Sequence, residues 1–350
     1  MGYRLGVLRA RGVAVWFGVA SALLSTLACN DSGRGRSTDA GSFIEPDAQG
    51  DAADAADAAD ADGAPDEGSL DSAPPGFPDA LAPPCNGSSE LCKQRFSALA
   101  FLGTHLSPAT DSSWATQTQG RSLKDQLQVG GVRVLELEVH SDGGVLAVCA
   151  GSCSLGSQSL SSVLREVATF LTGNETDVLT LVLRDFAPTS ALVKAFDDQN
   201  LPALARTQTP GEPWPTLQEM IDAKQRLVVF IDELPAGTSD AGEPDASADG
   251  GLPQWLHPLA DWAWETAPSE ATDCVIARGD ASLPLAILNH YVPGEAPADP
   301  QLVAAHMAET VAARLQRCVD DRGHVPNFVF VDFAEVGDPN GGTQIADGLR

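Results

Sequence analysis

Between Cys85 and Arg350, short apolar runs alternate with amphipathic helical stretches, and most of the runs end in His, Asp, Glu, Arg or Asn. No other feature constrains the fold as strongly, because this alternation is what a parallel sheet covered by helices requires. Candidate strands are Ala98–His105, Val132–His140, Val145–Cys149, Val178–Asp185, Leu227–Asp232, Leu285–Tyr291 and Phe328–Asp332. Candidate helices are Leu160–Leu171, Thr216–Ala223 and Pro300–Asp320. The last places Leu302, Val303, His306, Met307, Val311 and Leu315 at helical spacing. The segment has the length of one TIM-type (β/α)8 barrel, typically about 250 residues. The expected fold is therefore α/β, with the barrel over residues 85–350. In such a barrel the carboxyl ends of the strands form the mouth where active sites sit. The polar ends are Thr104-His105, Glu138-Val139-His140, Arg184-Asp185, Asp232-Glu233, Asn289-His290 and Asp332. A polar mouth by itself names no reaction. The Asp/Gly/Ser/Pro segment Thr238–Gly251 reads as an exposed surface insertion.

The residues before Cys85 read differently. Arg4, Arg9 and Arg11 precede an apolar run from Val13 to Ala28 that stops at Cys29. A basic start, a short apolar stretch and small residues before the cut describe an export signal over residues 1–29. The run falls short of the roughly 20 apolar residues that a spanning helix needs. Thr26-Leu27-Ala28-Cys29 is lipobox-like, with Thr where an aliphatic residue is usual, so Cys29 is the expected lipidation site. The rival reading is an ordinary signal peptide. Residues 30–84 include an Ala-Ala-Asp repeat and a Pro-rich stretch, and their low hydrophobicity and dense negative charge predict a disordered spacer. Together these features predict an exported chain, a bacterial cell-envelope lipoprotein or a secreted protein, held to a membrane through its lipid.

The chain of 350 residues carries a formal net charge of −27. Nucleic-acid binding needs clustered Lys and Arg, so no nucleic-acid partner is expected. An anionic membrane surface would also repel the domain on average. A monomer is expected. Of seven cysteines, setting aside Cys29 leaves Cys85, Cys92, Cys149, Cys153, Cys274 and Cys318. An even number in an exported chain suggests disulfides, with Cys85–Cys92 and Cys149–Cys153 as local pairs and Cys274–Cys318 as the remainder. The rival, a zinc site, lacks the usual Cys-x-x-Cys spacing.

Several motifs carry a resemblance. Leu102-Gly103-Thr104-His105 is followed by Gln126-Leu-x-x-Gly-Gly131-Val-Arg133-Val-Leu-Glu136-Leu-Glu138-Val139, then by Cys149-Ala150-Gly151-Ser-Cys153 and Asp177-Val-Leu-Thr-Leu-Val-Leu183. Pro215–Met220, Arg226–Phe230, Trp264-Glu265-Thr266, Leu288-Asn289-His290 and Pro326–Asp332 follow in order. Taken together they resemble the phosphatidylinositol-specific phospholipase C family, in its secreted, cysteine-containing branch. The resemblance implies a phosphoric diester hydrolase that uses two histidines. One takes a proton from a ring hydroxyl that attacks phosphorus, and the other protonates the departing glycerol oxygen. Each such transfer is worth roughly 10²–10⁴-fold in rate. On this basis His105 is the first catalytic histidine, Asp332 its orienting carboxylate, and Glu136 and Glu138 acidic residues of the binding site. The expected ligand is a phosphodiester or phospholipid headgroup.

Three positions depart from the family pattern. Ala150 stands where the second histidine is expected. Leu106 and Arg184 stand where metal-using members carry a ligand, so Ca²⁺ is disfavoured, and Glu136 with Glu138 remain its only candidate ligands. Two substitutes are available within the mouth. His140 shares strand parity with Glu136 and Glu138 and is the candidate acid, while Arg184 is the candidate phosphate clamp. His290 and Asn289 are further candidate substrate-binding residues. Arg133 points to the other face and reads as structural. The competing function is an inactive pseudoenzyme, a surface lipoprotein that binds without turnover. A glycerophosphodiesterase-like enzyme ranks lower, because it wants His-Arg where this chain has His105-Leu106. Trp255, Trp262 and Trp264 are expected to pack beneath a loop rather than form a rim.

Overall fold

Eight strands run parallel to one another. They are β1 (Phe101–Thr104), β2 (Val134–Asp142), β5 (Leu179–Phe186), β6 (Leu227–Asp232), β7 (Leu256–Pro258), β8 (Ala263–Thr266), β10 (Leu285–His290) and β11 (Phe328–Val331). Their order in the sheet is β7-β6-β5-β2-β1-β11-β10-β8, so the last strand pairs with the first, Phe101 opposite Phe328. This is the strand order of a TIM-type (β/α)8 barrel. Three further strands are antiparallel additions. β3 (Val145–Val148) and β4 (Gln158–Ser159) extend from β2, and β9 (Ile276–Arg278) flanks β8. The structure, a computed structural model, describes residues 84–232, 252–269, 271–292 and 300–335, without the side chains of residues 185, 186 and 300–309. The export signal, Cys29, nearly all of the spacer and the Thr238–Gly251 insertion lie outside the described residues.

Five helices are described: α1 (Leu123–Gln128), α2 (Leu160–Gly173), α3 (Thr189–Asp197), α4 (Leu217–Asp222) and α5 (Pro300–Arg322). The expected helices correspond to α2, α4 and α5. α2 starts at Ser159, whose side chain accepts from the Ser162 amide, and Thr216 and Glu219 form a capping box at α4. The outward residues Leu135, Leu137, Leu181 and Leu183 pack with Val163, Leu164, Val167 and Leu171 of α2 in one core. The inward residues form a second one. Val134, Val182, Val228, Phe230, Leu285, Ile287, Phe328 and Phe330 are all fully buried. Burying each such side chain contributes about 1.5–3 kcal/mol. Phe230 of β6 and Phe328 of β11 meet with ring centroids 5.7 Å apart, although four ladders separate their strands. Only a sheet curled on itself brings them together.

Between β7 and β8 there is no ladder among the described residues. Pro258 and Ala263 are separated by four residues, a single 3-10 turn, Leu259–Asp261, and Trp262. A parallel neighbour needs a crossover of a dozen or more residues, so these strands cannot lie side by side in register. Trp262 fills the seam, edge-on to His257 at 5.5 Å and to Trp214 at 5.3 Å. Trp262 and Trp264 are buried, and Trp255 packs on Phe196, so these tryptophans belong to the packing.

The amino-terminal end of the barrel is plugged by Phe96, which touches Phe101 and Trp214. The Cys85–Cys92 disulfide closes the segment that carries it. Cys149–Cys153 closes a short loop after β3, and Cys274–Cys318 ties the segment before β9 to α5. Gly103 faces inward on β1, where an added Cβ would lie 2.8 Å from the Phe330 ring and 3.2 Å from Val134. The absent side chain is what lets Phe330 fill the barrel beneath the mouth.

Candidate functional site

Period-two alternation carries the inward faces of the strands up to the mouth. After Gly103 comes His105, after Val134 come Glu136, Glu138 and His140, and after Val182 comes Arg184. Asp232, Glu265, Asn289 and Asp332 follow in the same way from Phe230, Ala263, Ile287 and Phe330. Of these, Glu136, Asp232, Glu265, Asn289 and Asp332 are buried.

His105 leaves β1 with its amide bonded to the Val331 carbonyl at 3.1 Å. Its carbonyl accepts from Thr118 Oγ1 and Gln119 Nε2. Its Nδ1 lies 2.9 Å from Asp332 Oδ1, and its Nε2 lies 4.0 Å from Glu136 Oε2. The ring stacks on Tyr291 at 3.8 Å with an interplanar angle of 3°. Burial works to lower the His105 pKa, but the Asp332 hydrogen bond and the charges of Glu136 and Asp332 outweigh it, and the net shift is upward. Burial pushes the Asp332 carboxyl up, against the stabilising bond from His105. The resulting pair is a histidine held in one orientation with its other nitrogen turned to the mouth.

Arg184 occupies the middle of a carboxylate ring. Its Nε bonds Glu136 Oε1 at 2.7 Å, Nη1 bonds Asp232 Oδ2 at 2.5 Å and Nη2 bonds Glu265 Oε2 at 3.0 Å. Burial opposes the charge, yet Glu136, Glu265 and Asp232 hold the proton more firmly than in water. Arg278 from β9 closes the ring from outside, reaching Asp232 at 2.6 Å and also Glu265. A guanidinium has five N–H donors, so three bonds leave two. Arg184 is therefore first an internal counter-ion and only through its remaining donors a clamp. The structure qualifies the expectation of an open phosphate clamp.

A calcium ion does not fit these residues. The Arg184 guanidinium already supplies the cation at the centre of the three carboxylates. Leu106, with φ 43°, turns away into a cluster with Ala109, Trp114 and Cys149. Glu136 and Glu138, the candidate metal pair, diverge to different partners, since Glu138 Oε1 bonds His140 Nε2 at 2.8 Å and the Gly151 amide at 2.7 Å. Among the described residues no group of three His, Cys, Asp or Glu is placed to hold a metal.

Asn289 joins the mouth, donating to Glu265 Oε2 at 3.2 Å and to the Thr266 carbonyl at 2.8 Å. His290 does not, which corrects its reading as a substrate-binding residue. It is buried on the outer face beside α5, with Nε2 3.2 Å from Thr310 Oγ1 and Nδ1 3.5 Å from Arg314. Burial and the Arg314 charge lower its pKa to about 4. Arg133 is structural, bonded to Asp177 at 3.0 Å and to the Leu127 and Val132 carbonyls. Sequence reasoning missed Asp232, Glu265, Arg278 and Tyr291 as site residues. Inward parity was signal enough for Asp232, which ends an expected strand, whereas Glu265 lies on a strand too short to be read from the sequence. Two buried acceptors in the mouth, Glu136 Oε2 and Asn289 Oδ1, have no hydrogen-bond donor among the described residues.

A family model described as PI-PLC X matches residues 91–345. The chain is 28% identical over 281 residues to PI-PLC X domain-containing protein 1 of Arthroderma benhamiae, covering 73% of this chain and 86% of that one. It is 26% identical over 289 residues to an uncharacterized secreted protein of the same fungus, covering 74% of this chain and 62% of that one. A PI-PLC X domain-containing protein of Arabidopsis thaliana is 27% identical over 249 residues, covering 66% of this chain and 55% of that one. A phosphatidylinositol-specific phospholipase C from Staphylococcus aureus aligns with a TM-score of 0.47 at 16% identity, covering 75% of this chain and 96% of that one.

Proposed function

The chain belongs to the PI-PLC X family, and from that membership we propose that it is a phosphodiesterase of the phosphatidylinositol-specific phospholipase C type, acting on a phosphodiester or phospholipid headgroup. The observation that carries the reading is the His105–Asp332 pair, 2.9 Å apart and fixed against Tyr291. With Nδ1–H donated to Asp332, neutral His105 accepts at Nε2 the proton of a ring hydroxyl. The hydroxyl oxygen then attacks phosphorus. The unpartnered acceptors Glu136 Oε2 and Asn289 Oδ1 suit ligand hydroxyls, which must donate if those atoms are to be satisfied. Arg184 offsets phosphate charge with its remaining donors, and no metal takes part.

The competing reading is a binding protein without turnover, a surface lipoprotein that holds a headgroup in the same mouth. Ala150 favours it, because a methyl group has no proton to give. The test is hydrolysis of phosphatidylinositol and of an aryl inositol phosphodiester by the full chain and by its His105→Ala variant. Turnover that falls by roughly 10²–10⁴-fold in the variant supports catalysis. Binding of inositol phosphate with no turnover in the native chain supports the competing reading. Export rests on the basic and apolar start of the chain and is consistent with the secreted relative, and Cys29 is the proposed lipid site. The intact mass of the mature chain, with and without Cys29→Ser, tests both.

A further inference from the structure

We propose that the phosphodiester taken by this mouth carries an ammonium group on its leaving alcohol, held by Glu138. The inference rests on the phosphodiesterase reading and names the substrate class within it. Among the described residues five carboxylates face the mouth, those of Glu136, Glu138, Asp232, Glu265 and Asp332. Two guanidiniums answer them, Arg184 and Arg278. Three negative charges are left over when His105 and His140 are neutral, and one remains when both are protonated. A phosphodiester adds another. Like charge gathered in a cleft with low-dielectric walls repels an anionic ligand, so a ligand that brings its own positive charge is the better match. Two side chains register this field. His105 holds its proton more firmly than usual, although burial, the largest influence, works against it. The Tyr291 phenol, stacked on His105, is pushed up by burial, with Glu136, Asp332 and Glu265 adding to the shift and Arg184 opposing it.

The open hydrogen-bonding atoms have the same bias. Glu136 Oε2 and Asn289 Oδ1 are buried acceptors with no donor among the described residues. Each calls for a donor, and a phosphodiester group has none, whereas an ammonium has three and no acceptor. Glu138 is where the charge belongs. Arg184 spans Glu136, Asp232 and Glu265, Arg278 bonds Asp232 and Glu265, and Asp332 holds His105. Among the described residues Glu138 meets no guanidinium, and its bonds to His140 Nε2 and the Gly151 amide both use Oε1, so Oε2 is open. Its side chain is 21% exposed, against 4% for Glu136. It stands one alternation beyond Glu136, about 6.6 Å along β2. His105 Nε2 lies 4.0 Å from Glu136 Oε2, which sets the level of the reacting hydroxyl. Below that level Phe330 and Val134 fill the barrel, so a leaving alcohol extends outward, past Glu138. A nitrogen two carbons beyond the ester oxygen comes level with its carboxylate. A metal ion would need several oxygens at once, while an ammonium needs only single N–H···O bonds, which suits carboxylates that diverge.

The experiment uses two inositol phosphodiesters that differ only in the leaving alcohol, an aminoethyl and an ethyl ester. Calorimetry measures their binding to the full chain carrying His105→Ala, where turnover does not intrude, and kcat/KM is measured in the native chain. The aminoethyl ester is expected to be favoured roughly 10–100-fold in both at low salt, the range of one charge-assisted hydrogen bond. Added salt should narrow that margin. In Glu138→Gln the margin should shrink to within a few-fold, read as a ratio so that any general loss of binding cancels. Equal affinities, or a preference for the ethyl ester, overturn the inference, as does failure to bind either ester. A margin that survives Glu138→Gln overturns the assignment of Glu138. If the aminoethyl ester binds more tightly but neither ester is cleaved by the native chain, the phosphodiesterase reading fails while the charge preference stands.

Discussion

Asp332 acts on His105 through a hydrogen bond and through its charge, and both raise the pKa of the ring. A base must be neutral to work, so the acid limb of the pH–rate profile is set by that raised pKa. Asp332→Asn removes the charge while keeping a side chain of the same shape. The acid limb of kcat/KM is then expected to move to lower pH. The plateau should fall by roughly 10²–10⁴-fold, because the imidazolium formed during proton transfer loses its partner. A pH profile of the variant checks this, and a limb that stays in place would mean Asp332 does not govern His105. A merely structural aspartate would change the plateau without moving the limb. Tyr291 adds orientation rather than charge, since burial raises its phenol pKa far above neutrality.

Two features of β1 are tied to one glycine. Gly103→Ala sets a methyl carbon 2.8 Å from the Phe330 ring and 3.2 Å from Val134, in the layer on which His105 rests. Overpacking of this kind costs about 1–3 kcal/mol. Calorimetry should show a lowered Tm, and activity should fall with it because the strand that carries the base must shift. An unchanged Tm would show that Phe330 moves aside freely. The sequence made much of this element structure legible. Each anticipated strand exists, because runs such as Leu227–Asp232 and Phe328–Val331 are apolar on both faces and stop at a polar residue. Leu256–Pro258, Ala263–Thr266 and Ile276–Arg278 were not anticipated. They are three or four residues long, and one ends in Pro, so no periodicity can build up. α1 and α3, of six and nine residues, were also too short for a clear apolar stripe. His290 shows what the alternation could have taught. Asn289 and His290 are neighbours on one strand, so both cannot face the mouth. Arg278 was out of reach, because its place depends on an antiparallel strand folding back over the rim.

At the scale of the fold, acid should weaken the structure through two buried histidines. His290 and His257 are buried, and burial lowers both pKa values from the ordinary 6.5, to about 4 for His290. Both stay neutral in the folded chain while the unfolded chain binds their protons below pH 6.5, so stability falls as pH drops from 6.5 toward 4. For His290 alone the full effect is roughly 3 kcal/mol. His105 has the opposite sign, since its raised pKa gives stability below 6.5 that is lost as pH rises through the folded value. Urea midpoints at pH 7 and pH 4.5 check the balance, which should favour pH 7. A His290→Gln variant should show a flatter profile, and an unchanged slope would remove His290 from the account.

His257 also stands at the seam, and that location gives the ring of strands a preferred place to part. Among the described residues, seven of the eight junctions in the ring are ladders of backbone bonds, while at the one between β7 and β8 the indole of Trp262 packs against an imidazole and a second indole. Backbone ladders are lost together, whereas a side-chain wedge can leave alone. The first water to enter the barrel on mild acidification should therefore come past Trp262. A shift in tryptophan emission should precede the loss of helical circular dichroism, so the molecule carries its own gauge of the earliest step in coming apart.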